Sequence, residues 1–129
     1  MKRIPMPQSR WHAAQRLEER YNVDDARTIA NRLREQIRTG VDCWQLHPRD
    51  ARVWRLPHYF VLCHGSFYIA IYDPISRGGN LVTILATGFL AQVNLPKLRA
   101  ALGKRGRRAV AQDADLKRRF NLAWSRLTE

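Results

Sequence analysis

His12, Arg16 and Arg20 recur at four-residue intervals, which on a helix sets them along one side. An imidazole titrates near neutral pH and can pass a proton. Guanidinium groups beside it can grip a phosphate and steady the charge that develops on it. RNA breaks without a metal when a base takes the 2′-hydroxyl proton and cations stabilise the five-coordinate phosphorus. One His with two Arg neighbours has the groups for that chemistry. The same spacing equally describes a solvated basic helix face. Strand alternation adds further polar candidates, namely His58, Tyr68, Tyr72 and Thr83. Tyr and Thr are also ordinary strand formers. His64 beside Gly65 reads as a turn residue and His47 as a loop residue. Phosphate-binding glycine loops, metal-ligand spacings and nucleophile elbows are absent from the pattern, so no cofactor and no metal is expected.

The elements that must carry these groups follow from periodicity. Residues 1–9, with Pro5 and Pro7, read as a basic extended tail. Ser9 is placed to cap a helix from Arg10 to about Tyr21, in which Trp11, Ala14, Leu17 and Tyr21 make one apolar stripe. Asn22 breaks it. Asp24 then caps a second helix, with Ala26, Ile29, Ala30, Leu33 and Ile37 on its buried face and Gly40 as its stop. Residues 41–46 and 51–56 read as short strands around Pro48. His58–Cys63 and Ser66–Asp73 flank His64-Gly65 as a hairpin, and Leu81–Leu85 follows a second turn at 74–80. The expected fold class is α+β: two N-terminal helices packed on a three- to four-stranded antiparallel sheet, followed by C-terminal helices. If Phe67, Ile69, Ile71, Val82 and Ile84 face the helices, Tyr68, Tyr72 and Thr83 line the other face of the sheet. His58 shares its strand face with Phe60, Leu62 and His64. The core domain is expected over residues 10–93. A basic helical extension over 94–129 packs on the core or flanks it, with Asn94 capping one helix, a basic hinge at 103–108 and a final helix from Ala109 to Leu127. The last helix carries Leu116, Phe120, Ala123, Trp124 and Leu127 on one stripe. Lys117, Arg118, Arg119 and Arg126 lie on the other.

Charge narrows the partner. The 129 residues include 23 Lys plus Arg against 11 Asp plus Glu, a formal net charge of +12, and the pI is near 11.0. Such an excess opposes folding through self-repulsion and is the electrostatic footprint of a protein that neutralises phosphates. Only four of the cations are Lys, at 2, 97, 104 and 117. The Arg bias favours planar, bidentate gripping of phosphate, although GC-rich coding also yields Arg for Lys. Lys104, Arg105, Arg107, Arg108, Arg118 and Arg119 form a separate basic arm. RNA, or another polyanion, is the expected partner, with an acidic host or antitoxin protein as the other. Cys43 and Cys63 sit in apolar stretches and read as buried thiols rather than a disulfide framework. No stretch approaches the roughly 18 apolar residues of a membrane span, so no membrane partner is expected and the cytoplasm is the expected compartment.

Two helices followed by an antiparallel meander, with HAAQRLEERY and later IAIYD and LVTIL, resemble the barnase–colicin–RelE group of small ribonucleases and toxins, and its phage or mobile-element members in particular. The resemblance covers about residues 10–90. It implies metal-independent endoribonuclease chemistry, with His12 as acid or base and Arg16 or Arg20 as the phosphate clamp. Tyr72 and Thr83 would orient the phosphate or assist proton transfer, and Tyr68 and His58 would contact the substrate. The alternative is a non-catalytic phage-type protein that binds and modulates a host enzyme or nucleic-acid machinery. A DNA-binding regulator is weaker, because neither helix pair offers a recognition helix after a Gly turn.

Overall fold

The structure, a computed structural model, describes residues 5–21 and 23–128, with side chains described over 12–21 and 23–121. Its architecture is α+β, as the periodicity predicts. Helices α1 (Pro5–Tyr21) and α2 (Ala26–Thr39) precede strands β1 (Cys43–Leu46), β2 (His58–Cys63), β3 (Ser66–Asp73) and β4 (Asn80–Leu85), and helices α3 (Leu95–Ala111) and α4 (Ala114–Thr128) end the chain. The strands form one antiparallel sheet in sequence order. His64 and Gly65 both take positive φ, the conformation of a two-residue turn whose twist matches its strands.

Several boundaries differ from expectation, each for a local reason. Pro5–Ser9 belong to α1 rather than to a tail, because first-turn N–H groups have no partner inside the helix and Pro loses nothing there. Asp25, not Asp24, precedes α2, and its carbonyl accepts from Ile29 N–H at 3.0 Å while its side chain makes no cap bond. Residues 51–56 form no strand. Pro48 and Pro57 bracket them, and the Asp50 carboxylate accepts from Arg52 N–H at 2.9 Å, a side-chain turn that competes with strand pairing. The basic hinge lies inside α3, as a kink at Gly103 (φ 69, ψ −174). The next break comes later, at 112–113, where Asp113 accepts from Leu116 N–H at 3.1 Å and caps α4. Asn94 caps α3 as expected, accepting from Lys97 N–H at 3.1 Å. Asn22 and the side chains of Trp11, Ala123, Trp124, Arg126 and Leu127 lie outside the described residues.

Both faces of the sheet are covered. Ala13, Ala14 and Leu17 of α1 and Ala30, Leu33 and Ile37 of α2 pack on Val61, Cys63, Tyr68, Ala70, Tyr72, Leu81 and Ile84, which make the first face. Leu98, Leu102 and Val110 of α3 and Leu116 and Phe120 of α4 pack on Leu46, Phe60, Phe67 and Ile69, which make the second. The expected facing of the sheet is therefore corrected. Tyr68 and Tyr72 lie under α1 and α2, and Phe67 and Ile69 under the C-terminal helices. Only Thr83 turns to the second face as expected. A register shift at Ile71/Tyr72 pairs Ile71 with Thr83 but Tyr72 with Leu81, leaving Val82 as an extra residue in β4. Such a bulge re-aims the side chains beyond it, so Ile84 joins Leu81 on the first face while Thr83 and Leu85 join the second.

Candidate nucleic-acid interface

The groups expected to act together are spread over the molecule. His12 is half-buried on α1, where its Nε2 accepts from Arg16 Nε at 3.4 Å, and Arg16 also pairs with Glu19 at 2.7 Å. Arg20 donates to the Ile84 carbonyl at 2.7 Å, and the Tyr21 hydroxyl donates to that of Leu85 at 2.6 Å. These two consecutive residues clamp α1 onto β4. Tyr68, buried, packs on Tyr21 with ring centroids 4.8 Å apart. Tyr72, also buried, drives its hydroxyl against Gly79, where a Cβ would stand 1.8 Å from the oxygen, so only Gly fits. Arg34 Nε donates to the Gly79 carbonyl at 2.6 Å and holds the turn in place. Tyr72 and Thr83 thus face opposite sides of the sheet, and His12, Tyr72 and Thr83 do not form one site.

The register brings a different pair onto one face. Leu46, His58, Ile71 and Thr83 are successive partners across the four strands, so His58 and Thr83 stand two strand spacings apart, roughly 10 Å. His58 is 7% exposed. Its ring stacks on Trp54, with centroids 4.2 Å apart, and meets Phe89 at 5.5 Å; Trp54 and Phe89 also touch, at 5.5 Å, so the three rings form one cluster. Nδ1 lies 2.8 Å from the Leu56 carbonyl. A carbonyl only accepts, so Nδ1 carries the hydrogen and Nε2 of the neutral ring keeps its lone pair. Burial holds the imidazole below its ordinary pKa, against the opposing pull of that hydrogen bond. The arrangement suits a base more than a cation.

Cations surround the same end of the sheet. The segment 47–57 leads into β2 at His58, and the turn 74–79 leaves β3 after Asp73. The two are tied where Tyr72 N–H donates to the Pro57 carbonyl at 3.0 Å. Arg49, Arg55 and Arg77 project from them, exposed and without a carboxylate partner among the described residues. Arg77 does so from a positive φ of 51, which costs a non-Gly residue energy and fixes its direction at the turn. Arg52 pairs with Asp50 at 3.2 Å and donates to Gln92.

The basic arm divides into two kinds of cation. Arg105 makes a two-pronged bond to Asp42, at 2.8 and 3.0 Å, at the end of β1 away from Pro48. Arg118 and Arg119 both bind Asp115, which also accepts from the Thr87 hydroxyl at 3.3 Å. Arg105 thus joins α3 to the start of β1, whereas Arg118 and Arg119 pair within the first turns of α4. Lys104, Arg107 and Arg108 remain exposed along α3 beyond the kink, without a carboxylate partner among the described residues. Among the described residues, Glu19, Glu35, Asp42, Asp50 and Asp115 are all engaged by Arg, and Asp73 and Asp113 accept backbone N–H groups. Most of the described carboxylates are thus engaged locally, while Glu18, Asp24 and Asp25 stand exposed on α1 and at the start of α2. No group of three or more His, Cys, Asp or Glu among the described residues could hold a metal ion, and no helix among them is long and apolar enough to cross a membrane.

Reading along the chain misses Arg49, Arg55, Trp54 and Phe89. The alternation of Ala51, Val53 and Arg52, Trp54 imitates a strand, yet Arg at 49, 52 and 55 between two prolines is the pattern of a basic loop. No protein-family model, no curated protein and no solved structure matches the chain.

Proposed function

We propose that the protein binds RNA at the end of the sheet where the 47–57 segment and the 74–79 turn meet. One observation carries the reading: among the described residues Arg49, Arg55 and Arg77 stand exposed and free of carboxylates around that end, where Asp50 is held by Arg52 and Asp73 by backbone N–H groups. Phosphate groups displace counterions from such a surface, so affinity must fall steeply with salt. The resemblance of HAAQRLEERY, IAIYD and LVTIL to the barnase–colicin–RelE group points to the same partner. The test is a salt series of equilibrium RNA binding. Replacing Arg49, Arg55 and Arg77 together by Ala should flatten the slope of log K against log salt by about 2, at roughly 0.7 to 0.9 per phosphate contact. An unchanged slope would place the RNA elsewhere, with the Lys104, Arg107 and Arg108 surface next to be tested.

A second reading, metal-independent RNA cleavage at the same place, is favoured by the proton placement on His58. In that reaction Nε2 takes the 2′-hydroxyl proton, the 2′-oxygen attacks the adjacent phosphorus and the bond to the 5′-oxygen breaks. The products are a 2′,3′-cyclic phosphate and a 5′-hydroxyl, whose proton comes from water. Thr83 donates a hydrogen bond to a phosphate oxygen. Incubation with RNA in EDTA tests it: His58→Gln must abolish cleavage, and His12→Ala must not. Intact RNA with the wild-type protein leaves binding as the function.

A further inference from the structure

Large hydrophobic side chains stand in solvent at three places among the described residues: Val41 at 53%, Val53 at 87% and Ile75 at 84% exposed. The two most exposed lie on the two segments that form the proposed RNA-binding end. Each is followed two residues later by an exposed arginine, Arg55 after Val53 and Arg77 after Ile75. Chain length limits their separation. Val53 is four residues from Pro57 and Ile75 three from Tyr72, and Pro57 and Tyr72 are hydrogen-bonded. The tips therefore stand at most about 25 Å apart at full extension, within the span of one short oligonucleotide.

We propose that Val53 and Ile75 are contact points for unpaired bases, so that this surface selects single-stranded over duplex RNA. The inference rests on the RNA-binding reading and adds to it which form of RNA is taken. An A-form duplex turns its phosphates outward and stacks its bases inside, and its deep major groove excludes side chains. Its backbone satisfies Arg55 and Arg77 but offers nothing apolar to the tips. An unpaired strand presents base faces that apolar side chains cover while the neighbouring guanidinium groups hold the phosphates.

The experiment measures equilibrium binding of an unstructured uridine oligomer and of a blunt RNA duplex at one salt concentration. It compares the wild-type protein with the double variant Val53→Ser and Ile75→Ser. Both side chains lie in water, so the variant keeps the fold, which its thermal transition verifies. The wild type should favour the single strand by roughly tenfold, the size of one good base contact. The variant should lose that preference with its duplex affinity unchanged. Equal binding of both forms by the wild type overturns the proposal, as does a variant that keeps the preference or weakens equally toward both. A wild type that binds neither form removes the RNA-binding reading along with it.

Discussion

The two faces of the sheet solve the same packing problem with different means. Under α1 and α2 the sheet presents Tyr59, Tyr68 and Tyr72, with Tyr68 and Tyr72 buried and Tyr59 half-buried against them. Under α3 and α4 it presents Phe60 and Phe67, stacked at 4.3 Å and 6°, with aliphatic residues from both helices. The first face is closed by regular helices and by hydrogen bonds from Arg20, Tyr21 and Arg34 to strand and turn carbonyls. At the His58 end the second face is closed by irregular chain, the 47–57 segment and the short 3-10 turn Thr87–Gln92 that brings in Phe89. Chemistry can be placed at such an end, because loops can vary there without unseating a helix.

The comparison breaks most easily at Phe120, which is 1% exposed and packs on Phe60 with ring centroids 6.3 Å apart. Phe120→Ala should cost about 3–5 kcal/mol, and Leu33→Ala on the first face about 2–5 kcal/mol. Urea denaturation of both variants measures this. A Phe120→Ala cost below about 1 kcal/mol would make the C-terminal helices an appendage and leave one core. A lesser effect is expected at Tyr21. Tyr21→Phe removes the bond to Leu85 and leaves a half-buried carbonyl unpaired, a loss of about 1–2 kcal/mol. Burial pushes the Tyr21 hydroxyl up to about 12. The fold favours the neutral phenol, so its contribution is complete below pH 10 and is lost as pH rises toward 12. Alkaline unfolding of the variant should lack that component.

Much of the fold is readable from the residues, and the reasons for the misses are specific. HYFVLC and SFYIAIYD are apolar at nearly every position, which marks strands buried on both sides. Treating them as alternating strands with one open face hid the cover that α3 and α4 supply. The bulge at Val82 has no signature in LVTIL, so the side to which Thr83 turns rests on tertiary register. The first-helix spacing of His12, Arg16 and Arg20 is real, but the partners of those groups, Glu19 and the Ile84 carbonyl, are set by packing. His58 was visible as a strand residue. Its contacts with Trp54 and Phe89 depend on two irregular segments, the first of which carries the misleading alternation of a strand.

A smaller effect sharpens the contrast at those contacts. The folded protein holds His58 neutral, while the unfolded chain takes up its proton once pH falls below about 6.5. The native state then binds fewer protons, so His58's contribution is complete above pH 6.5. It declines on acidification until the folded ring also protonates. Denaturant midpoints measured from pH 7.5 downward should fall in the wild type and fall less in His58→Phe, which keeps the stack without the titration. Parallel curves would mean that the other histidines or the carboxylates carry the acid sensitivity.

The smallest effect belongs to the arm. Arg105 is 75% exposed in its pair with Asp42, which is 22% exposed. An ion pair so open to water contributes about 0.2–1 kcal/mol, and salt screens it further. Arg105→Ala should therefore shift the denaturant midpoint slightly at low salt and not at all in 1 M salt. Lys104→Ala, Arg107→Ala and Arg108→Ala should not lower stability, because no carboxylate among the described residues pairs with them and relief of self-repulsion acts in the opposite direction. If removing those three cations raises stability at low salt while removing Arg105 lowers it, the arm contains both a structural cation and a repelling surplus. That surplus would then be a cost to the fold that Arg105 alone offsets.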